Sequence, residues 1–351
     1  MSLSPFEHPF LSGLLGDEET ASQFHASADL RCMLQFEGAL ARAQAQAGMI
    51  PADAAGRIAA VAAQFSPDMA ELRQGVAQDG VVIPDLVRQL RKAVQPEDAA
   101  LVHLGATSQD VIDSSLMMRL TAVLRLHATR LDRLVTAFES LRTLHGQRQL
   151  MGHTRMQAAI PITAGDRIES WTAPLLRHRG RLRACLEQGL PLQFGGAAGT
   201  LDKLGDKADE VRAALAGHLG LANMHQWQNQ RDHLVEVANL FCLISDSLGK
   251  FGQDIALMAQ MQDELVLSGG GGSSAMPHKQ NPVGAEILVT LARYNATQIS
   301  GMHHAMVHEQ ERSGAAWTLE WMLLPSIAVT AGTALITAEA LVGKIRSLGR
   351  D

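Results

Sequence analysis

Apolar residues along the chain recur in steps of three and four. Met117, Leu120, Leu124, His127, Leu131, Leu134, Phe138 and Leu141 form one series without a gap, as expected of a helix with a single apolar stripe. It predicts a helix from about Asp113 to Arg148. Leu234, Val237, Phe241, Ile244, Leu248, Phe251, Ile255 and Met258 form a second series and predict a helix from about Asp232 to Leu267. Helical patterning also covers Asp166–Gln188, Pro282–Arg312 and Trp317–Ser347, with Ser313-Gly314 separating the last two. Stripes of this length are buried by packing lengthwise against one another, so the expected fold class is all-α with an elongated central helical bundle. Residues 1–111 mix short helical patterns with turn signals at Ser66-Pro67, Asp79-Gly80, Ile83-Pro84 and Gln95-Pro96. They are expected to form a small helical N-terminal domain, and residues 112–351 the bundle. His127 lies on an apolar seam and is expected as a core histidine satisfied by a neighbour.

Composition supports the helical reading. Of 351 residues, 46% are hydrophobic but only 4% aromatic, and β-branched residues are sparse, which disfavours sheet. A formal net charge of −6 supplies no electrostatic footprint for nucleic acid or an anionic membrane, so any anion must be recognised by a local site. No apolar run is expected to reach membrane-spanning length, and MSLSPFEHPF lacks the basic and apolar regions of a secretory signal. Cys32, Cys185 and Cys242 are scattered. A cytoplasmic protein with free thiols is expected.

Three polar stretches interrupt the apolar pattern. HLGATSQD places Thr107, Ser108 and Asp110, all helix-starting residues, ahead of the first long series. GHTRMQAA follows that series, with Gly152 as a helix stop and His153, Thr154 and Gln157 close behind. The third stretch, SGGGGSSAMPHKQNPVGAE from Ser268 to Glu286, has four consecutive glycines before Ser273, Ser274, His278, Lys279 and Asn281. Glycine runs resist regular structure, and Asn281-Pro282 reads as an N-cap with proline in the first helical position. A loop carrying hydroxyls, an imidazole and an ammonium is thus delivered to a helix N-terminus, which favours anions.

Other motifs exclude alternatives. QFGGAAGTL lacks the spacing of a dinucleotide fingerprint, and Gly249-Lys250-Phe251 lacks the rest of a P-loop. His304 and His308 share a face on the expected helix, but Arg312 stands where HExxH needs its second histidine. No metal and no cofactor are expected, and these histidines read as a solvated or interface face.

The first two polar stretches bracket a helix of about 35 residues, which at about 1.5 Å per residue separates them by roughly 50 Å. One pocket can use both only if different subunits supply them, so a homo-oligomer with shared sites is expected.

GSSAMPHKQNP resembles the GSSxMPxKxNP loop of the fumarase/aspartase superfamily, and GATSQD and GHTRMQAA resemble its first and second conserved regions. The resemblance runs through nearly the whole chain in order. It implies a homotetramer of long-helix bundles, each active site assembled from three subunits, with a C-terminal domain that is reduced or absent here. It also implies proton transfer α to a carboxylate through a dianionic aci-carboxylate. Ser273 resembles the residue that exchanges the proton, Lys279 and Asn281 the groups that stabilise the intermediate, and His153 the second-region histidine with Glu286 as its charge partner. Thr107, Ser108, Thr154, Gln157 and Ser274 resemble substrate-binding groups.

QFGGAAGTL, WQNQRD and EQERSGAAWTLEW look like segments of the superfamily's muconate cycloisomerase branch. That implies lactonisation of a tricarboxylate, 3-carboxy-cis,cis-muconate, in aromatic catabolism. Its sulfonated analogue, or a fumarate-releasing reaction such as adenylosuccinate cleavage, stands as the alternative. Arg312, with Arg155, Arg231 and His278, is a candidate partner for the substrate carboxylates.

Overall fold

The computed structural model describes residues 4–261, 263–272, 276 and 280–350. In chain order its elements are α1 (Ser12–Leu15), α2 (Glu18–Ala21), α3 (Ala26–Gln46), α4 (Ala52–Gln64), α5 (Met69–Asp79), α6 (Ile83–Ala93), α7 (Ser108–His145), β1 (Gln149–Thr154), β2 (Gln157–Thr163), α8 (Ala164–Gln188), α9 (Ala208–Leu219), α10 (Asp232–Met261), β3 (Leu265–Leu267), α11 (Val283–Ala305), α12 (Gly314–Val342) and β4 (Ile345–Leu348). The all-α expectation holds. Among the described residues, strands are confined to two short antiparallel ribbons, β1–β2 and β3–β4.

Five long helices form the bundle. α7 and α10 run side by side in the same direction, since Arg231 meets Asp113 at one end and the Glu264 carboxylate accepts from Met151 N at the other. α8 runs against them, joined by Trp171 Nε1 donating to Asp254. α11 is likewise antiparallel to α10, with Asn295 Nδ2 donating to Ser245 Oγ and to Ile327 O on α12. Every residue of the first predicted stripe is buried, from Met117 through Leu141. His127 is fully buried, 3.1 Å from Thr20 Oγ1, as expected of a core histidine.

The helix ends differ from the predicted ones for physical reasons. α7 begins five residues earlier, with Thr107 as N-cap and its N–H donating to Asp110. It stops at His145. Gly152 is therefore not a helix stop: it sits in a bulge of β1, where a Cβ would press on Ile160 O. α10 ends at Met261 and α12 at Val342, because LVL and IRSL pair as β3 and β4 instead of extending the stripes. α11 ends at Ala305, so His308 lies beyond it and shares no helical face with His304. α12 departs from the expectation about membrane-spanning length. Its 29 residues, with a mean hydropathy of 1.5 over the most apolar window, satisfy that test, although most of that window is buried in the bundle.

Candidate active site

The two ends of the bundle carry different chemistry. At the α7 N-terminus, Thr107 and Ser108 are half-buried at the start of a 38-residue helix whose dipole favours anions. The turn is set by Asp110. Its buried carboxylate accepts from Gly195 N at 2.8 Å, Gly196 N at 3.0 Å, Gln193 Nε2 at 3.1 Å and Thr107 N at 3.0 Å. Burial pushes this carboxyl up to about 6, against the pull of those donors. The loop before it is also pinned. His103, in a left-handed conformation at φ 61°, lies 2.7 Å from Glu37, and Gln44 Nε2 donates to Leu104 O.

Arg312 joins this end. Its Nε donates to Gln109 Oε1 at 2.9 Å and its Nη2 to Ala197 O at 3.3 Å, while the residue remains exposed. Arg231 does not belong to the binding surface. It is completely buried, paired with both Asp113 oxygens and both Glu320 oxygens and stacked 4.7 Å from the Trp227 ring. Its partners lie 118 and 89 residues away in sequence, which is why it reads as a free arginine there. His308 also departs from the solvated reading: its side chain is fully buried, 3.3 Å from Glu320 Oε1. Among the described residues no group of three or more His, Cys, Asp or Glu is arranged to hold a metal.

The opposite end carries the second and third stretches. His153 and Thr154 lie on β1 and Gln157 on β2, where Thr154 pairs with Gln157 across a two-residue turn. Arg155 and Met156 form that turn with φ of 47° and 65°, the twisted geometry that closes tight hairpins. All five residues are exposed, and His153 Nδ1 lies 3.0 Å from Met151 O. A cavity of about 590 Å³ beside the hairpin is lined by His153, Arg155, Arg167, Lys250, Asp254 and Glu264, among others.

The glycine run here serves two ends: Gly269 takes a positive φ of 67°, and Gly270 and Gly271 allow close approach. Gly271 and Asn281 exchange two backbone hydrogen bonds, both 2.9 Å, which tie the end of the glycine run to the residues just before α11. A Cβ on Gly270 would collide with Gln280 Cβ and press on its backbone. Asn281 is therefore part of this tie, and Pro282 is the N-cap of α11. Ser273, Ser274, His278 and Lys279 lie outside the described residues. Glu286 is exposed in the first turn of α11.

Within one chain, then, Thr107, Ser108 and Arg312 come together at one end, and His153, Thr154, Gln157, Asn281 and Glu286 lie at the other. α7 alone separates them by about 57 Å at ~1.5 Å per residue. Sequence reasoning missed Gln109, Gln193 and Gln228, buried polar groups that shape the first end, and read Asp110 only as a helix-starting residue, a role its capping box with Thr107 bears out. Their signal was present as polar residues interrupting apolar surroundings, but their partners are distant in sequence.

Comparison with known proteins gives a consistent result. The family described as Lyase matches residues 17–301. The chain is similar to the 3-carboxy-cis,cis-muconate cycloisomerase of Pseudomonas aeruginosa, at 42% identity over 89% of this chain and 70% of that one. It is 39% identical to the enzyme of the same name from Pseudomonas putida, over 89% of this chain and 76% of that one. The crystal structure of 3-carboxy-cis,cis-muconate lactonizing enzyme from Pseudomonas putida superposes with a TM-score of 0.90 at 37% identity, covering 96% of this chain and 77% of that one.

Proposed function

The chain belongs to the fumarase/aspartase superfamily, and on that premise we propose that it is a cycloisomerase that closes 3-carboxy-cis,cis-muconate to its lactone, 4-carboxymuconolactone. The observation that carries this reading is an intact GSSAMPHKQNP sequence, whose Asn281 is bonded to Gly271, in a chain so similar to enzymes named for that reaction.

The residues are assigned as follows. One substrate carboxylate adds an oxygen across the neighbouring double bond, and the electron pair moves onto the carboxylate conjugated with it, giving an aci-carboxylate dianion. That charge needs fixed donors. Lys279, Asn281 and the start of α11 supply them, with Thr107, Ser108, Ser274, Thr154, Gln157 and Arg312 binding the remaining carboxylates. Ser273 delivers the proton to the α-carbon. In the reverse direction the leaving group is a carboxylate, stable as an anion, so His153 has no strong acid to provide and serves to orient substrate. Its partner is Glu286 of a neighbouring subunit.

The roughly 57 Å between the two ends of each chain supports sites shared between subunits. A homotetramer sets the α7 N-terminal end of one subunit against the hairpin and glycine loop of others. The exposed hairpin, with Met156 at 74% and Ile160 at 67% exposure, is the surface such an assembly covers. Three free cysteines fit a reducing cytoplasm.

The test is turnover in D2O with no metal or nucleotide added. Lactone carrying one deuterium on the carbon α to the carboxylate supports the assignment. Release of fumarate from adenylosuccinate, with no lactone from the muconate, would transfer the protein to a different reaction in the same superfamily.

A further inference from the structure

We infer that Asn229 and Gln228, in the segment leading into α10, are positioning residues for Arg312. The inference rests on reading Arg312 as a partner of a substrate carboxylate.

Arg312 sits on the connection between α11 and α12, which has no regular structure of its own. A long exposed side chain on such a segment ordinarily samples many rotamers, and fixing it costs side-chain entropy. Here the connection is bound from outside. Asn229 Nδ2 donates to Gln310 O at 2.6 Å, and Gln228 Nε2 donates to Glu311 O at 3.0 Å. Gln310 is held left-handed at φ 50°, a conformation that strains a non-glycine residue, so the two carbonyl bonds oppose a real tendency to relax.

The same group reaches the guanidinium by a second route. The Gln228 backbone carbonyl accepts from Gln109 Nε2 at 2.7 Å, and Gln109 Oε1 accepts from Arg312 Nε at 2.9 Å. Gln109 cannot turn its amide to serve Arg312 differently, because its Nε2 also donates to Asp113 in the buried arginine network. Main chain and side chain of Arg312 are therefore both referenced to residues 228–229. The guanidinium plane is set before substrate arrives, and preorganisation of this kind lowers the cost of binding. The matching ligand is a planar carboxylate, taken by two parallel N–H donors.

The test compares Asn229→Ala, Gln310→Gly and the double variant. Removing the Asn229 amide leaves Gln310 free to relax, whereas glycine at 310 holds the left-handed turn without steric cost. Asn229→Ala is expected to raise KM for 3-carboxy-cis,cis-muconate about tenfold while kcat changes less than about threefold, the mark of lost uniform binding. Adding Gln310→Gly is expected to recover most of the KM. Crystal structures of the three variants supply an arm that needs no substrate: the Arg312–Gln109 bond should break in Asn229→Ala and return in the double variant. An unchanged KM with Arg312 in place, or a KM defect that glycine does not repair, would overturn the inference. If the wild-type protein leaves the muconate untouched, the functional reading fails, while the crystal structures still decide whether the clamp exists.

Discussion

Burial pushes the His127 imidazole down to about 3, and the adjacent Arg130 charge adds to the effect, so the folded protein holds this ring neutral at ordinary pH. Its proton affinity is lower folded than unfolded. Stability present above about 6.5 is therefore lost as pH falls toward 3, and this group alone should remove about 2 kcal/mol by pH 5. Denaturant unfolding at several pH values is expected to show that acid limb in the wild type and a flatter one in His127→Gln. Equal slopes would mean that the ring is solvated or charged in the folded state. Arg231 gives the opposite kind of prediction. Its replacement by methionine leaves Asp113 and Glu320 buried without the guanidinium that pairs them, and a loss of about 3–5 kcal/mol is expected in equilibrium unfolding. The two residues also differ in how well their roles can be read from sequence. His127 stands on an unbroken apolar stripe, and the stripe announces burial. Arg231 stands in the polar string WQNQRD, where nothing local distinguishes a buried arginine from a substrate-binding one.

Helices were visible in the sequence because a stripe of eight apolar residues repeats one geometric fact many times. Short elements lacked that redundancy. The β1–β2 turn is built from Arg155 and Met156, neither of them a residue that favours positive φ, so the hairpin carried no turn signal. β3 and β4 are apolar continuations of α10 and α12, and only their mutual pairing marks them as strands. Packing between elements was equally hidden. At Gly332, α12 passes so close to the N-terminal segment that a Cβ would fall on Asp17, Thr20 and His127. Asp17 itself is paired with Arg130 at 2.9 Å. Burial pulls the Asp17 carboxyl up, but hydrogen bonding to Arg130 and Thr20 wins and holds it below its ordinary value. Gly332→Ala is expected to cost about 2 kcal/mol or more through overpacking. In α4, Gly56 has nothing within 4 Å of its would-be Cβ, and Gly56→Ala is expected to add about 0.5–1 kcal/mol through helix propensity. Opposite shifts in melting temperature for the two variants would bear this out, and equal shifts would contradict the packing argument.

At the scale of the whole molecule, one unbroken 38-residue helix holds the candidate binding groups apart. That separation could be read from the sequence as soon as the stripe was, since length follows from residue count. The arrangement around each end could not, because Asp110, Gln109, Gln193 and Gln228 find partners across 79 or more residues. If sites are completed between subunits, Ser273→Ala and His153→Ala chains, each nearly inactive alone, should regain part of the wild-type activity after subunit exchange. Exchange shown by mass spectrometry without recovery would argue for sites contained in one chain. The central claim is the reaction itself. It is tested most directly by following the conjugated-diene absorbance of 3-carboxy-cis,cis-muconate after adding purified protein without metal or nucleotide. Rapid loss of absorbance, abolished by Ser273→Ala in a variant that still folds, is the expected result. A steady absorbance with folded wild-type protein would contradict the account.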